Sequence, residues 1–184
     1  ASSAFSLQEV KRAIAKAIFF RQVDRMIFRS PWYSGYKANI VTYTLAKFAN
    51  MIRKAGLQVD FIATWEKQSV PDELMHQLSV VAENVNEVLC SPPEGITSNV
   101  SEWAKKDLCW DEVRKLKIPL TDSARSMLIG REESREREKE GRRIQKIDNA
   151  IHAQTYVLEK GADYWKQLRD WNRLAKKLSP KEFS

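Results

Sequence analysis

Apolar residues recur at helical spacing from residue 7 to residue 30. Ser6 and Glu9 have the form of a capping box, and Ser30 precedes a proline, so the pattern predicts a first helix between them. One apolar stripe of this helix consists of Val10, Ile14, Ala17 and Ile18, and further apolar surface comes from Phe19, Phe20, Val23, Met26 and Ile27. We expect the second half of this helix to be buried on several sides.

A second helix is predicted from Lys37 to Ala55, with Gly56 as its C-cap. Its stripe is Ala38, Val41, Leu45, Phe48, Ala49 and Ile52, and a weaker apolar face of Ile40, Tyr43 and Met51 favours a central position. Shorter helical patterns follow over residues 60–67, 72–90 and 99–113. No run of alternating strand residues is present, which predicts an all-α, compact multi-helix domain over residues 1–120.

The pattern changes after Thr121. Residues 131–143 contain six basic, five acidic and no apolar residues, so they predict a solvated helix that projects from the core. Beyond it, Ile144, Ile147, Ile151 and Leu158 have heptad spacing that Gln154 interrupts, and Tyr164, Leu168, Trp171, Ala175 and Leu178 form a second stripe after Gly161. We therefore predict a charged and amphipathic helical extension over residues 121–184, a protruding C-terminal arm or hairpin with a kink near Gly161.

The apolar face of this extension either folds back or binds another chain. For the second case, a homo-oligomer, the expected interface residues are Ile144, Ile147, Ile151, Leu158, Leu168 and Trp171.

Composition places the chain among soluble proteins. It is 43% hydrophobic and 30% charged, and no apolar run approaches the roughly 18 residues of a membrane span, so no membrane contact is expected. Residues 1–6 do not resemble a signal peptide, and Ala1 is not an initiator methionine, so we expect a fragment of a longer protein. Only two cysteines are present, which favours the reducing cytoplasm.

The net charge of +7 is concentrated at the ends. Residues 1–30 hold six Lys/Arg and two acids, and residues 161–184 hold six and three. Basic terminal segments favour an anionic partner, DNA or RNA. The alternative is that these lysines and arginines only keep the outer faces of helices in contact with water. The candidate nucleic-acid-binding residues are Arg21, Lys37, Lys166, Arg169, Arg173 and Lys177.

Arg21 is expected in the middle of the first helix's apolar face. A guanidinium there needs a buried partner, such as Asp24 or Glu66, or opens onto a groove where it meets a ligand. Lys166, Arg169, Arg173 and Lys177 lie along one side of the last helix, either as a phosphate-tracking face or as a plain solvated one.

The sequence predicts no catalytic residue, metal or cofactor. His76 and His152 are the only histidines, and neither cysteine has a CxxC partner or a histidine at zinc-ligand spacing. Phosphate-binding, dinucleotide-binding and nucleophile-elbow motifs are absent from the sequence. Glu9-Val10-Lys11 has the E-x-K spacing of metal-dependent nucleases, but it lacks an upstream aspartate and falls on a helix.

Two stretches resemble a known family. Residues 15–21, Ala-Lys-Ala-Ile-Phe-Phe-Arg, followed by residues 35–44, Gly-Tyr-Lys-Ala-Asn-Ile-Val-Thr-Tyr-Thr, are similar to a block near the C-terminus of AIPR (abortive infection phage resistance) proteins. Trp65-Glu66-Lys67-Gln68, residues 99–106 (Asn-Val-Ser-Glu-Trp-Ala-Lys-Lys) and Cys109-Trp110 resemble the closing block of that family. The likeness covers roughly residues 7–116 and does not reach the tail.

The resemblance implies a part of a bacterial anti-phage defence protein whose N-terminal portion is nuclease-like. We expect a non-catalytic helical module that engages nucleic acid through its basic terminal segments. The alternatives are an oligomerisation or protein-partner module of the same protein, and a part of a nuclease whose catalytic domain lies outside this chain. The rest of the intact protein is an expected partner in each case.

Overall fold

The computed structural model describes residues 7–175, and these are mostly helical, as predicted. In chain order the elements are α1 (Leu7–Arg29), α2 (Lys37–Lys54), β1 (Leu57–Val59), α3 (Phe61–Lys67), α4 (Asp72–Cys90), α5 (Val100–Trp103), α6 (Asp107–Lys115), α7 (Asp122–Ser126), β2 (Leu128–Gly130) and α8 (Arg131–Ala175). The chain forms two compact units that divide between Glu136 and Arg137. Residues 122–130, at the start of the predicted extension, form α7 and β2 of the first unit.

The helices begin and end at residues that cap or break a helix. α1 ends before Pro31, and Gly56, with φ +72°, takes the left-handed conformation just after α2. Asp60 caps α3 by accepting from the backbone nitrogens of Ile62 and Ala63 at 3.1 and 2.9 Å. Asn99 and Thr121 cap α5 and α7 in the same way. The predicted capping residue Ser6 lies outside the described residues.

The core of the first unit forms where α2 and α4 meet. α4 is fully buried along one stripe, and α2 contacts α1, α4, α6 and β1, which confirms its predicted central position. The α4 stripe consists of Leu74, Leu78, Val81, Ala82, Val85 and Leu89. Trp103 of α5 closes the stripe at the far end, where its indole nitrogen donates to the Val88 carbonyl at 3.1 Å.

The prediction of which α1 face is buried was wrong. Val10, Ile14 and Ala17 are exposed, and so is Arg21 between them. The buried face is Ala15, Phe19, Val23 and Ile27. Phe19 decides the orientation, because its ring stacks on Phe48 of α2 at 6.4 Å and meets Phe61 of α3 edge-on at 6.2 Å. α1 is therefore apolar on two sides, and the side with the larger residues faces the core.

The prediction also missed a two-stranded antiparallel sheet. Leu57 pairs with Gly130, Gln58 with Ile129 and Val59 with Leu128. Each strand has only three residues, which is too short to show the alternation by which a strand is recognised. Residues 60–127 separate the two strands in the sequence, so no local hairpin signal marks them.

Helix α2 buries polar side chains that hold α5 and α6 in place. Lys47 is only 4% exposed, and its ammonium donates to the carbonyls of Arg114 at 2.9 Å and Leu116 at 2.7 Å, where α6 ends. Burial lowers the pKa of Lys47, and the charge of Lys54 lowers it further. One turn earlier, the Tyr43 hydroxyl donates to the Ala104 carbonyl at 2.6 Å between α5 and α6. These bonds satisfy carbonyls that the helix ends leave without intrahelical partners.

The second unit, taken by itself, is helical as far as residue 175 with a break at Gly161. Gly161 has φ 72° and ψ 163°, a backbone conformation that only glycine adopts readily, so the predicted kink is confirmed. Across the break, the Trp165 indole nitrogen donates to the Val157 carbonyl at 2.9 Å. The Trp165 ring also meets Tyr156 and Tyr164 edge-on at 6.1 and 5.2 Å. The predicted stripe residue Leu178 lies outside the described residues.

Replacing Lys47 with methionine is expected to lower the free energy of unfolding. The Arg114 and Leu116 carbonyls lose their donor, which costs roughly 1–3 kcal/mol for a buried acceptor left unpaired. Urea denaturation followed by circular dichroism measures the change. The matched control is Lys54→Met in the last turn of α2, where the side chain is exposed and the change should stay within about 0.5 kcal/mol. Equal stability of Lys47→Met and the parent would contradict the proposed anchoring.

The Tyr43 hydroxyl is expected to make the fold weaken at high pH. Burial and the neighbouring Cys109 raise the pKa of Tyr43 above its ordinary value of 10.0. Above about pH 10 the unfolded chain therefore releases a proton that the native state keeps, so the free energy of unfolding falls as pH rises. In Tyr43→Phe this fall should be shallower, while stability at neutral pH drops by about 1 kcal/mol with the lost hydrogen bond. Parallel pH profiles for variant and parent would disprove the assignment.

Candidate functional site

An apolar groove lies between α1, α2 and the strand pair of the first unit. Its volume is about 640 Å³, within the range of roughly 300–1,000 Å³ typical of small-molecule sites. Its fourteen lining residues are Lys16, Ala17, Phe19, Phe20, Leu45, Phe48, Ala49, Ile52, Arg53, Leu57, Gln58, Val59, Phe61 and Arg131. Ten of them are apolar, three are cationic and none is acidic, so the groove combines an apolar floor with a positive rim.

The three cations lie toward one end of the groove. Lys37 pairs with Asp24, and Phe48 stacks on Phe19, so α1 and α2 run in opposite directions. Lys16 precedes Phe19 on α1 and Arg53 follows Phe48 on α2; both are therefore on the same side of the Phe19–Phe48 contact. A guanidinium nitrogen of Arg131 donates to the Arg53 carbonyl at 3.2 Å, which brings a third cation to that end.

The groove was not predicted from the sequence because the residues of its floor are apolar, as residues of a protein core are. Leu45, Phe48, Ala49 and Ile52 belong to the predicted apolar stripe of α2, but Ala49 is exposed and Leu45 is only partly buried. The useful signal is Ala49, because a small residue in a stripe of large ones leaves open space above it. Phe20 of α1, 51% exposed, is the corresponding feature on the opposite wall.

The predicted nucleic-acid-binding residues of the first unit have different surroundings. Arg21 is exposed on α1, one turn from the exposed Arg25, and the expected burial of its guanidinium was wrong. Asp24, one of its two expected partners, instead pairs with Lys37 at 3.2 Å. The Lys37 ammonium also lies over the Phe28 ring at 5.4 Å, so Lys37 ties the start of α2 to α1.

Charge is segregated within the first unit. Residues 7–60 contain ten Lys/Arg and three Asp/Glu, a net charge of +7, whereas residues 61–130 contain seven and eleven, a net charge of −4. Among the acids of residues 7–60, Asp24 pairs with Lys37 and Asp60 caps α3. We call six of the exposed cations of α1 and α2 the basic surface: Lys16, Arg21, Arg25, Arg29, Arg53 and Lys54.

The candidate cations of the second unit each lie near an acid of their own helix. Lys166 pairs with Asp163 at 3.5 Å, and Arg169 and Arg173 approach Asp170 at 3.3 and 3.9 Å. All three cations are exposed, and such surface pairs are weak enough for an incoming phosphate to compete with them. The remaining candidate, Lys177, lies outside the described residues.

The candidate interface residues of the second unit leave apolar surface uncovered. Ile144, Ile147 and Ile151 are each about half exposed, with Ile147 at 51%, and Leu158 is 80% exposed. Trp171 is exposed as well, and Leu168 is partly buried. We call Ile144, Ile147, Ile151 and Leu158 the apolar seam.

The titratable residues that could support chemistry are dispersed. Cys90 and Cys109 are free thiols, and burial raises the pKa of both, which keeps them protonated and unreactive. His76 is exposed on α4. Within residues 7–175, no three histidine, cysteine or acidic side chains are grouped closely enough to hold a metal ion. In the same range, no helix has the length and apolar character needed to cross a bilayer.

Comparison with known proteins identifies the family. The model of the AIPR protein family matches residues 1–93, which is half of the chain and includes α1, α2, both walls of the groove and all of α4. Neither a search of curated proteins nor a search of solved structures gave a match. The match overlaps the stretches around Phe19, Tyr36 and Trp65 that carried the resemblance in sequence. The chain belongs to the AIPR family, the abortive-infection proteins of anti-phage defence.

Proposed function

We propose that the chain is a non-catalytic helical module of its defence protein and that it binds nucleic acid through the basic surface. The observation that carries the proposal is the charge segregation of the first unit, +7 over residues 7–60 against −4 over residues 61–130. Phosphate backbones attract such a surface whatever their sequence, and the net negative charge of residues 61–130 disfavours contact with that part of the unit.

Arg21 and Arg25 are the central residues of this proposal. They project from α1 one turn apart, with their guanidinium groups exposed, and an arginine can bind a phosphate through two parallel hydrogen bonds. Lys37 contributes less, because its ammonium already pairs with Asp24. In the second unit, Lys166, Arg169 and Arg173 offer further phosphate contacts, and residues 137–184 hold twelve Lys/Arg against seven Asp/Glu.

The non-catalytic part of the proposal rests on the dispersal of reactive groups. A nuclease centre needs carboxylates grouped around a metal, and Glu9 and Lys11 instead occupy the first turns of α1. The free thiols of Cys90 and Cys109 support a location in the reducing cytoplasm, where the proposed nucleic-acid ligand is present.

Fluorescence anisotropy with labelled single-stranded DNA, duplex DNA and RNA tests the binding. The parent chain is expected to bind at low salt, with an affinity that falls steeply as salt rises. In Arg21→Gln/Arg25→Gln, the affinity should fall and the salt slope should decrease by about 1 for each arginine removed.

The matched control is Arg114→Gln/Lys115→Gln, which removes the same charge from α6 on the acidic side. In the parent, Arg114 and Lys115 pair with Asp111 and Glu112. The affinity of this double variant for nucleic acid should equal that of the parent. Equal losses in both double variants would show that net charge alone governs binding. Absence of binding at low salt would remove the proposal, and Mg²⁺-dependent cleavage by the parent chain would overturn its non-catalytic part.

Self-association is a second candidate function, and the exposed apolar seam favours it. Ile144, Ile147 and Ile151 follow heptad spacing, and uncovered rows of this kind lose apolar surface to water when two helices pair. A second copy offers the same row in a symmetric dimer.

Light scattering coupled to size exclusion measures the mass. The parent is expected to be a dimer or larger, and Ile147→Asp should convert it to a monomer, because pairing would bury the carboxylate without a partner. Val80→Asp is the control, since Val80 is similarly exposed but lies on α4 of the first unit. A monomeric parent at its highest soluble concentration would rule this function out.

A further inference from the structure

The groove of the first unit has the properties of a ligand site, and two of its three cations, Lys16 and Arg53, also belong to the basic surface. Its size is that of a small-molecule pocket, and it is lined by residues of α1, α2, β1 and α3 together with Arg131.

The lining selects the kind of ligand. Gln58 is its one uncharged polar residue, so the edge of a nucleobase would lose its hydrogen bonds to water without regaining them on the floor. A hydrocarbon tail leaves no polar group unpaired there. The chemistry of the floor thus argues against nucleotides and favours an aliphatic chain.

The length of the floor limits the tail. Leu45, Phe48 and Ile52 form a row along α2 that spans seven residue steps, or about 10 Å at 1.5 Å per residue. Phe19 and Phe20 face this row from α1. A medium-chain acyl group can lie along it, with its methyl end toward Leu45 and Phe20.

The cations define the other end of the ligand. Lys16, Arg53 and Arg131 line the groove on the same side of the Phe19–Phe48 contact, and the lining contains no acid that would neutralise them. Helix α2 ends at this point, and its negative dipole end would repel an anion, but Arg131 donates to the Arg53 carbonyl and offsets that field. A carboxylate placed here meets a positive site.

We propose that the groove binds a free, single-chain anionic amphiphile, of which a medium-chain fatty carboxylate is the simplest example. The tail lies over the exposed Ala49 and against Phe20, and the headgroup pairs with Lys16, Arg53 and Arg131. Other occupants fit less well: the seam helix of a second copy brings Arg142, Arg143 and Lys146 beside Ile144 and Ile147, and these cations would face those of the groove.

Isothermal titration of the full chain with dodecanoate, below its micelle concentration, tests the site. Dodecanoate should bind, dodecanol should bind at least tenfold more weakly, and dodecyltrimethylammonium should not bind. Affinity should rise about fourfold for each methylene added between octanoate and dodecanoate, which is the equivalent of about 0.8 kcal/mol. Equal affinity for the three headgroups would show indiscriminate apolar binding and would overturn the proposal.

Two variants separate the tail site from the headgroup site. Ala49→Trp fills the groove and should abolish dodecanoate binding. Ala49 points into open space, so the unfolding midpoint should remain close to that of the parent. Arg53→Gln/Arg131→Gln should weaken dodecanoate at least tenfold and leave dodecanol unchanged, whereas Arg114→Gln/Lys115→Gln should change neither. Unaltered dodecanoate affinity in Ala49→Trp would place the ligand elsewhere and reject the site.

Two further measurements distinguish other occupants. If Ala49→Trp has a lower mass than the parent in light scattering, and dodecanoate does not bind the parent, a second copy fills the groove and the proposal fails. If the chain floats with phosphatidylglycerol vesicles but does not bind free dodecanoate, the groove serves membrane contact, and the proposal fails as well. The outcome is independent of nucleic-acid binding, because Ala49→Trp leaves Arg21 and Arg25 in place.

Discussion

Helix α2 has neighbours on several sides, and this crowding constrains the rest of the first unit. It contacts α1, α4, α6 and β1, so polar residues as well as apolar ones must be buried along it. Lys47 and Tyr43 are two such buried polar residues. Tyr43 donates to a carbonyl between α5 and α6, and Lys47 donates to a carbonyl at the end of α6. The hydroxyl of Thr44, between them, is buried without a hydrogen-bond partner among the described residues. Helix α2 is thus held in one rotational setting, and that setting turns Leu45 and Ala49 toward α1.

The same setting produces both candidate sites on one side of the fold. The α2 row from Leu45 to Ile52 forms the floor of the groove, and Arg53 and Lys54 continue the helix into the basic surface. Phe19 places α1 against this row, and by doing so it turns Arg21 and Arg25 outward. A single aromatic contact therefore fixes which face of α1 lines the groove and which face is offered to a charged partner.

The positions of the helices could be predicted from the sequence because the residues that start and end a helix act locally. Pro31, Gly56 and Asp60 each mark a boundary through their own backbone or side chain, and the boundaries of α1, α2 and α3 follow them closely. The kink at Gly161 is of the same kind. The buried face of α1 could not be predicted, because the helix is apolar on two sides. The choice between these sides depends on contacts with Phe48 and Phe61, which are distant in sequence. The candidate sites depend on such distant contacts, and Arg21, which was expected within a buried face of α1, is exposed.

The pairing of β1 with β2 has a consequence for the order of folding. Residues 57–59 and 128–130 enclose α3 to α7 between them, so the strands meet only after a long loop of chain has closed. Such closure is entropically costly and comes late, whereas the α1–α2 hairpin needs only neighbouring residues. Arg131 follows β2 directly and reaches Arg53 only once the strands have paired. During synthesis, the apolar floor therefore exists before its third cation arrives, and the nascent chain acquires the complete site as one of its final steps.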